Sequence, residues 1–153
     1  MQKRRIGVLI SGRGSNMAAL IQAAGDPAYP AEIVSVVSNR PDAMGLDFAR
    51  SHGIPAHAID HKAFADRAAF DAAVDRQLRA EGVEIVACAG FMRIMTKGLI
   101  DAWEGRMINI HPSLLPLYRG LDTHARALAD GVRIAGCTVH FVTPELDAGP
   151  IIA

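Results

Sequence analysis

Asn109 and His111 are the two residues whose types and spacing most directly suggest chemistry. They lie in the largely apolar stretch 106–112, and residues two apart on an extended strand point to the same face. Pro112 keeps His111 in an extended conformation. Together they offer an amide donor and a ring that exchanges protons near neutral pH. The alternative is a polar pair that only bonds to loop backbone, which is common at strand ends.

A carboxylate for this pair is expected from the segment 143–150, which follows another apolar run and contains two acidic residues. Glu145 is expected to face water. Asp147 has apolar neighbours on both sides, so we expect it to be less solvated and to reach His111 from an adjacent strand end. A carboxylate beside an imidazole favours the charged ring and fixes its orientation. With Asn109, these residues form a candidate constellation of amide, imidazole and acid.

A glycine-rich turn, Ser-Gly-Arg-Gly-Ser-Asn at 11–16, leads from the first apolar run into a helical segment. Glycines let the backbone approach a ligand closely, and the free amides of a helix start favour an anion. Met17 replaces the third glycine of the dinucleotide fingerprint, and no Gly-Lys-Ser/Thr of a triphosphate loop follows. Ser15 and Asn16 add side-chain donors, which favours a monophosphate. The alternative is an ordinary tight turn into a helix capped by Ser15.

The connection after the Asn-x-His strand contains two further features. Leu115–Pro116 is a candidate for a cis peptide bond. Asp122 or Thr123 is expected to cap the helix that follows. His124 either approaches the site or, as is commoner for a histidine at a helix start, lies on the surface.

The composition fits one domain that binds a small ligand. The chain has 153 residues, of which 50% are apolar, enough for one core. Sixteen basic and sixteen acidic residues cancel without a long like-charge run, so neither a nucleic acid nor a membrane surface is an expected partner. No stretch is long enough to span a bilayer. Cys88 and Cys137 lack metal-ligand spacing and are expected to be buried thiols of a reducing cytosol.

Short apolar runs alternate with longer segments of helical periodicity, which is typical of a parallel sheet wrapped by helices. Continuous apolar runs suit strands that are covered on both faces. The predicted strands are 6–10, 33–37, 56–59, 84–89, 107–111 and 137–142, and the predicted helices are 16–24, 44–52, 64–81 and 123–130. Ligands of such sheets gather outside the carboxyl ends of the strands, where all the motifs above lie.

Four motifs follow one another along the chain. They are the glycine-rich turn of 11–16, Gly-Phe-Met-Arg-Ile-Met (90–95), Asn-Ile-His-Pro-Ser-Leu-Leu-Pro (109–116) and Val-His-Phe-Val-Thr-x-Glu-Leu-Asp-x-Gly-Pro (139–150). In this order they resemble the phosphoribosylglycinamide formyltransferases, a family of folate-dependent formyltransferases. The resemblance covers essentially the whole chain. It implies a Rossmann-like three-layer α/β sandwich, with a mostly parallel central sheet and helices on both faces.

The resemblance also implies a domain organisation. Residues 1–153 are expected to form a single formyltransferase domain that lacks the C-terminal strand and helix of the family. The protein is expected to lie in the cytoplasm. No metal ion, nucleic acid or membrane is an expected partner. Whether the protein is a monomer or a homodimer stays open.

The implied reaction is formyl transfer from the co-substrate 10-formyltetrahydrofolate to the amine of 5'-phosphoribosylglycinamide in de novo purine biosynthesis, through a tetrahedral intermediate. The implied catalytic residues are Asn109, His111 and Asp147, and the implied phosphate-binding residues are Gly14, Ser15 and Asn16. The implied folate-binding residues are Arg67, Met92, Arg93, Ile94, Met95, Asn109, Thr143, Pro144, Glu145, Leu146 and Asp147. Taken alone, Arg67 could equally be an ordinary charged surface residue. Met92, Ile94 and Met95, taken alone, would be typical of a hydrophobic core.

Three alternatives remain open. A formyltetrahydrofolate hydrolase would pass the formyl group to water, but that enzyme normally carries an extra domain, which does not fit ahead of Ile6. A methionyl-tRNA formyltransferase needs a basic RNA-binding region, which a net charge of zero argues against. A non-catalytic Rossmann-like domain would bind a phosphorylated metabolite through residues 12–16. It would not need Asn109, His111 and Asp147 to converge.

Overall fold

The computed structural model describes residues 2–153, which form a six-stranded sheet with helices on both faces. None of these helices is long and apolar enough to cross a lipid bilayer. In chain order the elements are β1 (Arg4–Ile10), α1 (Ser15–Ala24), β2 (Ala31–Ser38), α2 (Met44–Ser51), β3 (Ala56–Ala58), a 3-10 turn (His61–Ala63), α3 (Arg67–Ala80), β4 (Ile85–Cys88), α4 (Lys97–Ala102), β5 (Met107–His111), α5 (Thr123–Ala129) and β6 (Thr138–Phe141).

The sheet has the strand order β3-β2-β1-β4-β5-β6, and only β6 runs antiparallel to its neighbour. Side chains alternate across the central strand β1, so the fully buried Val8 and Ile10 pack on one face and Leu9 packs on the other. Helices α1 and α2 cover the first face, and α3 and α4 cover the second. The predicted mostly parallel α/β sandwich is therefore confirmed.

The ends of several elements differ from the prediction. The helix expected over 64–81 begins at Arg67, because the Asp66 side chain accepts a backbone N–H in its first turn at 2.8 Å. Phe64 stays outside the helix and packs edge-on against Phe70, with ring centroids 5.8 Å apart. Helix α4 was not predicted, since six residues are too few to show a helical period.

Two predicted helix caps are wrong. Gly14, in a left-handed conformation with φ 70°, precedes α1, and Ser15 is the first helical residue, so its side chain makes no capping bond. Asp122 precedes α5, also left-handed with φ 56°, and its side chain makes no capping bond. In both cases a sharp backbone turn, rather than a side chain, starts the helix. The Leu115–Pro116 peptide bond is cis, as hypothesised.

The two cysteines have different environments. Cys88 is buried at the end of β4, and burial raises the pKa of its thiol to about 12, so it stays protonated at neutral pH. The prediction that Cys137 is buried is wrong, because it is exposed in the irregular segment before β6. Both thiols are free.

Candidate functional site

The polar face at the carboxyl end of β5 is built by its pairing with β6. Asn109 lies opposite His140, and His111 lies opposite Thr138. Residues directly opposite each other on antiparallel strands place their side chains on the same face of the sheet. This register therefore adds His140, which is 2% exposed, to the predicted pair of Asn109 and His111.

His140 is held by two hydrogen bonds that together fix its tautomer. Its Nδ1 lies 2.9 Å from the Phe141 carbonyl oxygen, which can only accept, so Nδ1 carries the proton. Its Nε2 then accepts from the Asn109 side-chain nitrogen at 3.2 Å. This bond fixes which way the Asn109 amide points. It uses one of the two amide hydrogens of Asn109 and leaves the other available to a ligand.

His111 faces an acceptor with each ring nitrogen. Its Nε2 donates to the Tyr118 carbonyl oxygen at 2.8 Å. Its Nδ1 lies 3.5 Å from a carboxylate oxygen of Asp147, which is at the outer limit of a hydrogen bond but close for two charges. The side chains of His111 and Asp147 are 6% and 7% exposed, so water screens this contact weakly. Each ring nitrogen of His111 therefore faces an oxygen that can accept a hydrogen bond.

Asp147 is fixed by its own backbone and by a loop. It is one of the non-glycine residues with positive φ, at 49°, and its Oδ2 accepts the backbone N–H of Gly120 at 2.9 Å. Its Oδ1 lies 3.9 Å from Nε2 of His140. The expectation that this carboxylate is shielded from water and lies near His111 agrees with these distances.

Gly149 allows the segment that carries Asp147 to pack against β6. A Cβ atom at this position would lie 1.7 Å from the Phe141 carbonyl oxygen and 2.8 Å from its carbon. Both are backbone atoms, so a side chain here must displace the backbone itself. No residue larger than glycine fits without moving the loop, and Asp147 moves with it.

We expect Gly149→Ala to lower the free energy of unfolding by about 1–3 kcal/mol, as overpacking typically does. For a chain of this size each kcal/mol corresponds to roughly 2–4 °C in the melting temperature. Differential scanning calorimetry measures the change. Gly98→Ala, in α4, is the matched control, because a Cβ there meets only the Thr96 hydroxyl at 3.9 Å. Equal melting temperatures for the two variants would contradict this packing.

The glycine-rich turn forms part of the wall of an open cavity of about 510 Å³. Residues 11–16 line it together with Asn39, Arg40, His61, residues 89–90 and residues 92–93. Ser15 and Asn16 are exposed, and within residues 2–153 their side chains make no hydrogen bond. The cavity combines free side-chain donors, a helix start and basic side chains, which suits an anionic group.

The predicted catalytic residues lie beside this cavity rather than in its wall. Its lining, within the described part of the chain, includes none of Asn109, His111 and Asp147. Their side chains are packed against one another and against the loop 118–120, so they leave little open space between them. The turn follows β1 and the polar cluster ends β5, with only β4 between the two strands.

Residues 92–95, which are predicted to bind the folate, are partly exposed. Met92 is 65% and Ile94 is 69% exposed, so the alternative that they belong to the core is wrong for these two. Met95 is half-buried and packs against the apolar cluster beneath. The guanidinium of Arg93 lies 5.6 Å from the centre of the Phe70 ring, and its buried Nε has no hydrogen-bond partner among residues 2–153.

The remaining predicted folate-binding residues lie on two surfaces. Pro144, Glu145 and Leu146 are exposed, and Thr143 is half-buried, with its hydroxyl donating to the Glu145 carbonyl at 3.3 Å. Glu145 faces water as predicted and pairs with Arg119 at 3.2 Å. Elsewhere, Arg67 is exposed at the start of α3 and does not line the cavity, and His124 is exposed beside a separate small hollow.

Four polar residues near the site were missed by the sequence analysis. They are His140 in the polar cluster and Asn39, Arg40 and His61 in the cavity wall. The last three follow β2 and β3, at the same carboxyl edge as the predicted motifs. Each follows an apolar run, which is visible in the sequence and indicates the end of a strand. Which strands are neighbours, and therefore which of these residues lie close together, is known only from the strand order.

The fold and the polar cluster define a Rossmann-like α/β protein in which amide, imidazole and carboxylate side chains meet at the end of β5. A sequence profile of the formyl transferase family matches residues 4–153. The chain therefore belongs to the formyl transferase family.

Individual relatives agree with this assignment. The chain is 45% identical over 145 residues to the phosphoribosylglycinamide formyltransferase of Escherichia coli, covering 95% of this chain and 68% of that protein. It is 51% identical over 150 residues to the trifunctional purine biosynthetic protein adenosine-3 of Gallus gallus, covering 98% of this chain but only 15% of that relative's length. The crystal structure of glycinamide ribonucleotide transformylase 1 from Symbiobacterium toebii superposes with a TM-score of 0.96 at 46% identity, covering 99% of this chain and 71% of the other.

Proposed function

We propose that this chain transfers the formyl group of 10-formyltetrahydrofolate to the amine of 5'-phosphoribosylglycinamide, as a step of purine biosynthesis. The convergence of Asn109, His111, His140 and Asp147 at the end of β5 carries the proposal. Family membership and the names of the relatives support the choice of substrates. A binding domain without catalysis has no need for this convergence.

In the proposed reaction the neutral amine attacks the formyl carbon and forms a carbon–nitrogen bond. The carbonyl oxygen becomes an oxyanion in a tetrahedral intermediate. The bond from that carbon to the folate nitrogen then breaks, while one proton passes from the attacking nitrogen to the leaving nitrogen. The site must therefore stabilise a negative charge and move a proton.

Asn109 and His111 are the proposed donors to the oxyanion. Asn109 has one amide hydrogen that His140 does not use. The Nδ1–H of His111 lacks a short partner, whereas Nε2–H is bound to the Tyr118 carbonyl, so Nδ1 is the donor available to the oxygen. Donors fixed in advance by neighbours are effective because they need little reorganisation as the charge develops. In this proposal no metal ion is required.

Asp147 is the proposed proton carrier and the partner that keeps His111 charged. Its carboxylate lies 3.5 Å from His111 and is shielded from water. Through a bound water it can pass the proton between the two nitrogens, and such transfer typically contributes about a hundred- to ten-thousand-fold in rate. Holding the two substrates in line would supply much of the remainder.

We further propose that Gly14, Ser15 and Asn16 bind the ribonucleotide phosphate, and that residues 92–95 and 143–147 contact the folate. The left-handed Gly14 turns the chain so that the start of α1 opens into the cavity. The exposed side chains of Met92 and Ile94 offer apolar contact to a ring system. Arg67 is proposed to contact the folate from the start of α3.

We place the activity in the cytoplasm, since both cysteines are free thiols.

Ser15→Ala is expected to raise the dissociation constant of 5'-phosphoribosylglycinamide about ten- to a hundredfold, because a hydrogen bond to a charged group is lost. Isothermal titration calorimetry measures this directly. Ser51→Ala is the control: it removes an exposed serine hydroxyl at the end of α2, whose partners are the Phe48 carbonyl and Nδ1 of His52. An unchanged dissociation constant in the Ser15 variant would remove this side chain from the phosphate site.

The reaction itself is tested by following deformylated folate by absorbance, with and without 5'-phosphoribosylglycinamide. Product that forms only with the ribonucleotide supports the transferase. Product that forms equally without it shows a hydrolase. No product in either case, together with binding of the ribonucleotide, shows a non-catalytic binding domain.

A further inference from the structure

Residues 89–96, between β4 and α4, have no regular secondary structure, although they carry four of the predicted folate-binding residues. Such a segment would move freely unless side chains from other elements held its backbone. Two buried polar side chains do so, one near each end. They are Ser11, which is 5% exposed, and Asp71, which is 4% exposed.

Ser11 binds the first part of the segment through both its backbone and its side chain. Its N–H donates to the Gly90 carbonyl at 3.1 Å, and its hydroxyl oxygen accepts the Met92 N–H at 2.7 Å. The hydroxyl hydrogen is donated to the side-chain oxygen of Asn39 at 2.5 Å. By accepting the hydroxyl hydrogen, Asn39 sets the orientation of the Ser11 hydroxyl and so leaves its oxygen free to accept the Met92 N–H.

Asn39 is in turn fixed by His61. The side-chain nitrogen of Asn39 lies 3.2 Å from Nδ1 of His61, and the backbone carbonyl oxygen of Asn39 lies 3.0 Å from the same atom. When Nδ1 carries the proton, the ring donates to the backbone carbonyl of Asn39. When Nδ1 does not, the ring accepts from the side-chain amide, so Asn39 has a partner in both tautomers. Asn39 is 3% exposed and directly follows β2, so it is a buried, ordered partner for Ser11.

The other end is held independently. One carboxylate oxygen of Asp71, in α3, accepts both the backbone N–H of Thr96 at 2.6 Å and its hydroxyl at 2.7 Å. Among the described residues, the hydrogen bonds of the Asp71 side chain go to Thr96 and none goes to the glycine-rich turn. Within residues 2–153, Ser11 is the member of that turn that hydrogen-bonds residues 90–92.

We propose that Ser11, oriented by Asn39, is a positioning residue that sets Met92 and Arg93 for the folate co-substrate. This inference rests on the proposed function for the identity of the ligand. Ser11 does not act on the reacting atoms. It fixes the backbone of the segment that receives the folate, while Asn109, His111 and Asp147 remain in place when its hydroxyl is removed.

The test compares Ser11→Ala with Ser35→Ala in the full chain. Both replace a buried serine, but the hydroxyl of Ser35 is buried without a hydrogen-bond partner in the described part of the chain, so the first variant loses hydrogen bonds and the second does not. We expect Ser11→Ala to raise KM for 10-formyltetrahydrofolate about tenfold, to leave kcat within about threefold, and to speed hydrogen exchange at the Met92 amide about tenfold. Ser35→Ala should match the wild type in all three measurements.

An unchanged Met92 exchange rate, or equal changes in KM for both substrates, would overturn the inference. Ser11→Cys gives a second variant of nearly the same volume, in which sulfur is a weak acceptor, should the alanine variant not fold. The exchange measurement needs no substrate. Absence of formyl transfer by the wild type would therefore refute the proposed function, while the exchange rate would still decide whether Ser11 holds the segment.

Discussion

Asp147→Asn is expected to lower kcat at least about a hundred-fold while both substrates still bind. The substitution keeps the size of the side chain and an oxygen that can accept the Gly120 N–H, so the loop should stay in place. What it removes is the negative charge 3.5 Å from His111. The ring then loses the partner that favours its charged form, and the path for the proton loses its carrier.

Steady-state kinetics with both substrates, alongside calorimetric binding, separate these effects. Asp101→Asn is the matched control, because Asp101 pairs with Lys97 on the exposed surface of α4, away from the site. Its kcat should equal that of the wild type. If Asp147→Asn turned over as fast as the control, proton transfer through this carboxylate would have to be abandoned.

The sequence predicts the pairing of His111 with Asp147 because each has a strong local signal. Pro112 keeps His111 extended at a strand end, and apolar neighbours on both sides of Asp147 predict a shielded carboxylate. Both segments follow apolar runs, but only β5 ends at the carboxyl edge of the parallel strands. Strand β6 is antiparallel, so the chain must turn back after Phe141 before Asp147 reaches that edge, and the sequence alone does not specify this return. The observed separation of 3.5 Å agrees with these two signals, and the roles of the two residues remain a proposal.

His140 could not be predicted in the same way, because its place depends on register. A slip of one residue between β5 and β6 would turn His140 to the opposite face and bring Val139 or Phe141 beside Asn109. Nothing local to residues 138–141 specifies that register. The hydrogen bond to Asn109 is therefore a property of the folded sheet, as is the bond from Ser11 to Asn39 across β1 and β2.

The core strands were predictable and the helix starts were less so, for a physical reason. Strand β1 is covered on both faces, so its apolar run is continuous and easily recognised. The starts of α1 and α5 are set by left-handed residues, Gly14 and Asp122, where side-chain capping by serine or aspartate was expected. Capping preferences describe an average helix, whereas these two helices begin at turns that tertiary contacts impose.

Asn109→Ala is expected to lower kcat about a hundred- to a thousand-fold, which corresponds to roughly 3–4 kcal/mol of lost stabilisation of the oxyanion. The amide is well prepared for this task, because His140 fixes its orientation with one hydrogen bond and leaves the second amide hydrogen free. Asn109→Asp, which keeps the shape but presents only acceptors, should be impaired to a similar extent.

Removal of His140 separates donation from orientation. His140→Ala keeps the Asn109 amide but removes the hydrogen bond that orients it. We therefore expect kcat to fall by only about tenfold, as is typical when one neutral hydrogen bond is lost. Calorimetric binding of 5'-phosphoribosylglycinamide should stay unchanged in all three variants, since the glycine-rich turn lies on the other side of β4. A His140 variant as impaired as Asn109→Ala would show that the imidazole itself takes part in the reaction. An Asn109→Ala variant within about threefold of the wild type would remove the amide from the oxyanion site, because the loss of a preorganised donor cannot be that small.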